Sequence, residues 1–198
     1  SHIDNEIKLH ELYQLHEDKI KINVIQHGNN YDLIEKKYHT GIDHEYFFKN
    51  GLYTWGWSNN EKEIRITSPR LMNFRRQFLK LKNKNNQNKI LYVLGPSLIW
   101  NFPRSLHISH NFYNQSEKLR INFFNNLGKD QKNKIIFRIY PYKSYEGMRN
   151  FYKDKFIDLK NISKNSRFVD DVNKSSILIF DHLSTANLEC ASIEKPFL

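Results

Sequence analysis

The chain has 198 residues, of which 39% are hydrophobic and 14% aromatic, and this composition is typical of a globular protein and excludes a disordered one. Its 31 Lys and Arg against 21 Asp and Glu give a formal net charge of +10, which indicates a polyanionic partner such as a phosphorylated substrate, an acidic membrane surface or nucleic acid. The single cysteine, Cys190, excludes a disulfide framework and a cysteine-based zinc site, and we expect a cytoplasmic protein.

The first part of the chain is predicted to combine one helix with short strands. Apolar residues at mostly helical spacing predict a helix from about residue 6 to residue 18. An alternating strand is predicted at residues 20–25 and an aromatic strand at residues 52–57. Residues 70–88 begin apolar and become rich in Lys and Asn, which is typical of a short helix that runs into an exposed linker. We therefore place a domain boundary between residues 82 and 83.

The second part alternates strands with helices. Strands are predicted from apolar runs at residues 89–96, 134–141, 176–181 and 195–198. Helices are predicted to end at Gly128 and to cover residues 145–155 and 185–193. One face of the first of these helices is expected to carry Phe112, Leu119, Phe123 and Leu127. This alternation predicts an α/β fold with a parallel sheet that is covered on both faces. Because the chain ends within its last predicted strand, we expect a truncated or incomplete protein.

Polar residues follow each of the predicted strands. Ligands of parallel sheets bind beyond the carboxyl ends of the strands, so these positions are the candidates for a binding groove. They are Gln26, His27 and Gly28, then Gly95, Pro96 and Ser97, then Arg138, Tyr140 and Lys143, and finally Asp181, His182, Ser184 and Thr185.

The last of these groups opens a predicted helix. A helix start at a strand end turns unpaired backbone N–H groups toward the groove, so Ser184 and Thr185 are candidates for binding a phosphate. Glu189, about one turn further along, is a candidate acceptor for ribose hydroxyls. The alternative is an ordinary helix cap at Ser184 and a solvated acid at Glu189.

Three further residues are candidates for charge or proton chemistry. His27 lies beside Gly28 at a strand end, where an imidazole can take a proton from an attacking hydroxyl or bind a leaving phosphate. Arg138 ends a buried strand, so we expect it to meet an anion; the alternative is a structural carboxylate partner such as Asp170 or Asp171. Asp181 is either a base or a cap.

Other catalytic sites have little support. The chain lacks the sequence patterns of P-loop, dinucleotide-binding, nucleophile-elbow and zinc-protease sites. His39 and His44, with two acids nearby, are weak evidence for a metal site, and we expect none. No apolar run approaches the roughly 20 residues that a membrane-spanning helix needs.

Three stretches carry a family resemblance: Gln26-His27-Gly28, Thr54-Trp55-Gly56-Trp57 and the segment from Ser184 to Glu189. In their order they resemble a set of bacterial surface-polysaccharide transferases with two Rossmann-like domains, the GT-B fold. The chain is more distantly similar to teichoic-acid glycerophosphotransferases and to transferases that use CMP-activated sugars. The resemblance implies the end of an acceptor domain in residues 1–82 and an incomplete Rossmann-like donor domain in residues 83–198.

The resemblance also implies a function. We expect a metal-independent glycosyltransferase that moves a sugar from a nucleotide-activated donor, preferably CMP-linked, to a cell-surface glycan or lipid-linked acceptor. His27 and Asp181 are the expected catalytic residues, and the donor is expected to bind Gln26, Gly28, Arg138, Lys143, Ser184, Thr185 and Glu189. No cofactor is expected beyond the donor, and the basic surface suits peripheral contact with the inner membrane. The alternative is a basic nucleic-acid-binding α/β domain without catalysis, although we do not expect nucleic acid as the partner.

Overall fold

The structure is a computed structural model, and it describes residues 11–12, 14–16, 19, 21–26, 51–59, 61–81, 88–95, 110–139, 161–182 and 184–198. The chain divides into two compact units, Ser1–Pro69 and Arg70–Leu198. In both units the strands pair in parallel, which confirms the predicted α/β class with parallel strands.

The first unit contains a three-stranded sheet. Strands β1 (Val24–Ile25), β2 (Leu52–Thr54) and β3 (Glu63–Arg65) pair in the order β1-β2-β3. The strands β1 and β2 are shorter than the sequence predicts, and β3 was not predicted because Glu and Arg interrupt its apolar pattern. Residues 11, 12 and 14–16 are helical, as the spacing of the leucines predicts.

The second unit contains five helices and three strands within the described residues. In chain order they are α1 (Pro69–Leu81, whose first residue closes the first unit), β4 (Lys89–Val93), α2 (His110–Asn126), α3 (Lys129–Lys134), β5 (Ile135–Arg138), α4 (Phe168–Lys174), β6 (Ser175–Phe180) and α5 (Thr185–Ala191). The three predicted strands are confirmed, as are the helices that precede Gly128 and follow Ser184. The short polar helices α3 and α4 were not predicted, and the predicted helix at residues 145–155 lies outside the described residues.

The second sheet has the strand order β5-β4-β6, with all pairs parallel. Single parallel bridges extend the order on both sides, from Phe137 to Ile162 and from Leu178 to Phe197. The backbone N–H groups of Leu178 and Leu198 each donate to a carbonyl across the second of these pairings, at 3.0 Å. The predicted strand at residues 195–198 thus pairs beside β6.

Two apolar clusters cover the two faces of this sheet, because successive residues of β4 point to opposite sides. One cluster joins Tyr92 and Leu94 to Phe124 of α2, with a ring-centroid distance of 5.1 Å between Tyr92 and Phe124. The other joins Leu91 and Val93 to side chains of four elements, namely Phe74 and Phe78 of α1, Val169 and Val172 of α4, Leu178 of β6 and Cys190 of α5. The prediction of a sheet buried on both faces is therefore confirmed.

The buried face of α2 differs from the prediction. Leu119 is 69% exposed and Phe123 37% exposed, whereas Phe124 is buried. Among the described side chains of the helix, Glu117 and Arg120 are also buried. Arg120 follows Glu117 by three residues and precedes Phe124 by four, so the three lie on one face.

Of the predicted apolar stripe, Leu127 packs against the core and the ring of Phe123 lies 5.6 Å from that of Tyr92, whereas Leu119 is exposed and the side chain of Phe112 lies outside the described residues. The apolar pattern does not reveal the ion pair between Glu117 and Arg120 on the buried side.

The division between the units lies between Pro69 and Arg70, whereas the sequence placed it between residues 82 and 83. The physical reason is the packing of α1, whose Phe74 and Phe78 belong to the core of the second sheet. The assignment of the two parts to acceptor and donor domains stays a prediction.

Candidate functional site

A cavity of about 340 Å³ lies at the carboxyl ends of β4 and β5 and at the start of α5. Its volume falls in the lower part of the range for small-molecule sites, roughly 300–1,000 Å³. We call it the strand-end cavity, and it is lined by Arg70, Val93, Leu94, Arg138, Ile139, Phe168, His182, Ser184, Thr185, Ala186 and Glu189. The apolar lining includes Val93 and Leu94 at the end of β4 and Ile139 after β5. The polar lining comes from α1, from Arg138 at the end of β5 and from the segment after β6.

The start of α5 forms one wall of the cavity. Ser184 occupies the N-cap position in an extended conformation, and its backbone N–H donates to Asn187 Oδ1 at 2.7 Å. Asn187 therefore fixes the direction in which the helix begins. Thr185, the first helical residue, lines the cavity beside Ser184 and Ala186. The Ser184 hydroxyl belongs to the capping box of α5 and lies 3.4 Å from Asn187 Oδ1, so Ser184 is the ordinary helix cap that the sequence left open. Thr185 adds a second hydroxyl beside the first turn of the helix.

An ion pair joins this wall to α1. Arg70 Nε lies 2.8 Å from Glu189 Oε1, and the side chain of Arg70 is 55% exposed whereas that of Glu189 is 10% exposed. Glu189 is therefore not the solvated acid of the alternative prediction. Arg70 already contacts one of its carboxylate oxygens. The terminal nitrogens of Arg70 bind no residue in the described part of the chain.

Arg138 forms a second ion pair at the opposite side of the cavity. Its Nη1 donates to Asp171 Oδ2 and to the carbonyl of Asn165, the latter at 3.1 Å, and Nη2 donates to the carbonyl of Ser166 at 3.3 Å. Its guanidinium carbon lies 5.6 Å from the ring centroid of Phe168. The structural partner that the sequence left open is thus Asp171, and the guanidinium is held rigidly in the cavity wall.

Asp181 does not line the cavity. Its Oδ1 accepts from the backbone N–H of Gly95 and lies 2.9 Å from His182 Nδ1. Its Oδ2 lies 2.7 Å from Arg120 Nε in an ion pair that is not aligned as a hydrogen bond. Arg120 in turn donates to Glu117. These residues form a buried charged cluster, which we define as Asp181, Arg120 and Glu117.

Glycine at position 95 is a geometric requirement of this arrangement. A Cβ atom at Gly95 would lie 2.8 Å from both Asp181 Oδ1 and His182 Nδ1, closer than real side chains approach. The missing side chain therefore allows Asp181 and His182 to approach the end of β4.

Burial changes the proton affinity of two groups behind the cavity. Burial and then the negative charge of Asp181 raise the pKa of Tyr92 far above its usual value, with Arg120 acting against them. Burial and then the charge of Glu189 likewise raise the pKa of the Cys190 thiol. Both groups therefore stay neutral at physiological pH, and Cys190 is a core residue and not a nucleophile.

The first unit holds a different arrangement at the end of β1. Gln26 Oε1 accepts from the backbone N–H of Trp55 at 2.7 Å and from Trp57 Nε1 at 2.9 Å. Thr54 is fully buried, and its hydroxyl donates to the carbonyl of Trp57. Gly56 has a φ of 93°, a value that favours glycine. The indole N–H of Trp55 is buried and has no hydrogen-bond partner within the described ranges.

The decisive comparison concerns the whole chain: a family model described as LIC12162 family transferase matches residues 1–198. The chain belongs to this family. It is therefore a transferase, and the resemblance to a transferase family that the sequence suggests is confirmed at this level. No curated protein matches the chain.

The structure of this transferase brings four predicted binding residues to one cavity: Arg138, Ser184, Thr185 and Glu189. Asp181 lies behind the cavity wall, and Gln26 lies in the first unit. His27, Gly28 and Lys143 lie outside the described residues. The catalytic and binding roles of all these residues stay predictions.

Sequence reasoning missed Arg70 as a cavity residue. Its contact with Glu189 joins positions 119 residues apart, and no local pattern indicates such a pair. The sequence identified His182 as a polar residue that follows a strand but assigned it no role. Its position directly after β6 is what brings it to the cavity.

The described residues of the transferase contain no group of three or more His, Cys, Asp or Glu side chains arranged to hold a metal ion. The same residues include no helix with the length and apolar character needed to cross a membrane. His39 and His44 lie outside the described residues.

Proposed function

We propose that this transferase moves a sugar from a nucleotide-activated donor to a cell-surface glycan and that the strand-end cavity binds the donor nucleotide. The observation that carries the proposal is the meeting of Arg70, Arg138 and the Ser184–Thr185 helix start at one cavity. Two arginines, the Thr185 hydroxyl and the first turn of a helix are groups that bind phosphate oxygens.

The order of the strands supports a Rossmann-like donor domain. With the two single bridges included, the spatial order is the segment at Ile162, then β5, β4, β6 and the segment at Phe197. Numbered along the second unit, this is the order 3-2-1-4-5, which is the order of nucleotide-binding doubly wound sheets. Ligands of such sheets bind where the order reverses, which here is between β4 and β6. The lining of the strand-end cavity supports this assignment, because it includes residues at the end of β4 and His182 after β6 as well as the end of β5.

The charges around the cavity favour a donor with one phosphate, as in a CMP-linked sugar. Arg70 is paired with Glu189 and Arg138 with Asp171, so both arginines must share their charge between a carboxylate and a ligand. The phosphodiester that links a sugar to a nucleoside monophosphate carries one negative charge, whereas the diphosphate of a diphosphate-linked sugar carries two. With arginines already paired, the smaller charge requires less compensation.

The proposed roles follow from these positions. Arg138 and the start of α5 stabilise the departing nucleotide phosphate, and Glu189 accepts from the ribose hydroxyls through the lone pairs that Arg70 leaves available. For His27, Gly28 and Lys143 the proposal rests on the family resemblance alone: His27 is the base for the acceptor hydroxyl, and Gly28 and Lys143 are further donor ligands. This scheme requires no metal ion, because protein cations supply the neutralising charge. The proposal also includes a GT-B architecture and a glycan or lipid-linked acceptor. It further includes peripheral contact with the inner membrane through the net charge of +10.

A thermal-shift screen with CMP, CDP, UDP and GDP tests the proposal. A ligand that binds the folded protein raises its melting temperature, and we expect CMP to give the largest increase. Thr185→Val should reduce this increase, because it removes a cavity hydroxyl but keeps the side-chain shape. Ser176→Ala is the matched control at the other end of β6, where the hydroxyl bonds the carbonyl of Lys89.

The opposite outcome is equally clear. If no nucleotide raises the melting temperature and single-stranded oligonucleotides bind with steep salt dependence, the chain is a nucleic-acid-binding protein and the proposal is wrong.

A further inference from the structure

The inference concerns the side of α1 that faces away from the core. Phe74 and Phe78 of this helix belong to the core of the second sheet. Met72 and Leu79 lie two turns apart and project from the opposite side of the helix, where Met72 is 42% exposed and Leu79 52% exposed. Single exposed apolar side chains are ordinary on protein surfaces, but here two are aligned along one helix. The helix therefore has a second apolar line that the protein core does not cover.

Basic residues border this apolar line on both sides. Arg76 and Lys80 lie on one side of it and Arg75 on the other, and all three are exposed. The helix contains no aspartate or glutamate. We define the outer face of α1 as Met72, Arg75, Arg76, Leu79 and Lys80. It combines apolar side chains with charges of one sign.

The three cations of the outer face differ in their contacts. Arg75 Nη1 lies 3.5 Å from the carbonyl oxygen of Ser192, and Arg75 borders a small cavity that Glu194 also lines. Arg76 and Lys80 make no hydrogen bond or ion pair with the described part of the chain. They are therefore the two cations of this face best able to pair with an external anion.

An acidic membrane surface matches this combination of groups. Lys and Arg attract anionic lipid headgroups, and apolar side chains between them enter the boundary between the headgroups and the acyl chains. The long stems of Arg76 and Lys80 can lie along that boundary while their charges reach the headgroups. Single-stranded nucleic acid fits less well, because it binds basic residues together with aromatic side chains that stack on its bases. The outer face contains no aromatic residue.

We propose that the outer face of α1 docks the protein on a bilayer that contains anionic lipids. Met72 and Leu79 insert below the headgroups, and Arg76 and Lys80 pair with the anionic ones. This inference rests on the membrane contact in the proposed function, to which it assigns a surface. It does not depend on the binding of a nucleotide.

The position of α1 relates this surface to the strand-end cavity. Arg70 of the same helix lines the cavity and donates to Glu189, whereas Met72 and Leu79 project from the other side of the helix. A docked bilayer and the cavity wall therefore lie on opposite sides of one helix, which is roughly 10–12 Å thick. This short distance suits an acceptor that is anchored in the bilayer.

Sedimentation with lipid vesicles tests the charged part of the surface. We expect the protein to bind vesicles of phosphatidylcholine mixed with phosphatidylglycerol and not vesicles of phosphatidylcholine alone. Arg76→Gln combined with Lys80→Gln should weaken binding about tenfold or more, since each basic residue near an acidic membrane strengthens binding roughly fivefold. Lys118→Gln combined with Lys129→Gln is the matched control, because these lysines are exposed on other helices and the net charge changes equally.

A fluorescent probe tests the apolar part. Cys190 is buried and is the only cysteine, so Leu79→Cys provides one accessible thiol for a polarity-sensitive fluorophore. Its emission should shift to shorter wavelength when anionic vesicles are added, because the probe leaves water. The same fluorophore at Leu119→Cys, a position that is 69% exposed on α2, should not respond.

Three results would overturn the inference. The first is a failure of the anionic vesicles to bind, including the case in which single-stranded oligonucleotides bind through Arg76 and Lys80 instead. The second is an equal loss of vesicle binding in the control pair of lysine substitutions. The third is vesicle binding that leaves the probe at position 79 in water. Circular dichroism checks that the variants fold, and Arg76→Lys, which keeps the charge, should bind vesicles as the wild type does.

The thermal shift with CMP separates this inference from the proposed donor site. Arg76 and Lys80 do not line the strand-end cavity, so the variant that loses vesicle binding should keep the CMP shift. A protein that binds CMP but no vesicles contradicts this inference alone. A protein that binds vesicles but no nucleotide contradicts the donor site alone.

Discussion

Two strand-end motifs of this transferase use their polar groups in different ways. At the end of β1, the side-chain oxygen of Gln26 accepts hydrogen bonds from N–H groups of Trp55 and Trp57. The motif therefore joins the end of β1 to the segment that follows β2. After β6, Ser184 caps α5 through Asn187, and Thr185 beside it lines a cavity. Position after a strand therefore does not by itself identify a ligand residue. The hydrogen-bond partners of each side chain decide between a structural and a binding role.

The largest expected effect is in the charged cluster behind the second motif. Arg120→Met removes a guanidinium that pairs with the buried carboxylates of both Asp181 and Glu117, which should lower the free energy of unfolding by about 3–5 kcal/mol. Chemical denaturation measures this loss. The double variant with Glu117→Gln should recover part of the stability, because it removes one of the two carboxylates. A loss below about 1 kcal/mol would show that the cluster is solvated.

Gln26→Ala tests the first motif. It removes the shared acceptor of two N–H groups, so we expect a loss of about 2–3 kcal/mol in the free energy of unfolding. A double-mutant cycle with Trp57→Phe should give a coupling of about 1 kcal/mol. If Gln26→Ala instead keeps its stability and loses nucleotide binding, Gln26 is a donor ligand as the sequence predicts, and the contrast between the motifs disappears.

Arg70→Ala sharpens the contrast from the side of the cavity. The partly exposed Arg70–Glu189 pair should contribute about 1 kcal/mol or less to stability, whereas loss of a phosphate ligand should weaken nucleotide binding about tenfold. Calorimetry and denaturation together measure the two effects. Arg75→Ala on the same helix is the matched control, since Arg75 does not line the cavity. Equal effects of the two variants on binding would remove Arg70 from the site.

The smallest expected effect concerns Cys190 on α5. Burial raises the pKa of its thiol. The stabilisation that the neutral thiol gives the folded protein is therefore fully present below the ordinary thiol pKa of about 8.5 and is lost as the pH rises above that value. Above that pH the free energy of unfolding should fall by up to about 1.4 kcal/mol per pH unit from this group, and less in Cys190→Ala. Burial lowers the pKa of Lys195, so this group raises the free energy of unfolding as the pH rises. It does so in the wild type and in Cys190→Ala alike. Denaturation series at several pH values measure the slopes, and identical slopes would place the thiol in contact with water.

The sequence predicted the sheet of the second unit well, because β4, β5 and β6 are apolar runs whose burial is visible locally. It missed the buried charges of α2, since Arg120 pairs with Asp181 from a distant part of the chain and Glu117 pairs with Arg120. It likewise missed α4, a seven-residue helix with two acids in its first turn. Local patterns indicate which residues follow strands, and only the fold shows which charges are already paired.

The most direct test of the central claim is methyl NMR of the protein titrated with CMP. Leu94, Ile139 and Ala186 line the strand-end cavity, and Leu79 and Leu119 are exposed methyl-bearing residues that do not line it. We predict saturable shifts of the first three sets of methyl signals, with the signals of Leu79 and Leu119 unchanged. Signals from the cavity that stay fixed at saturating CMP would contradict the account.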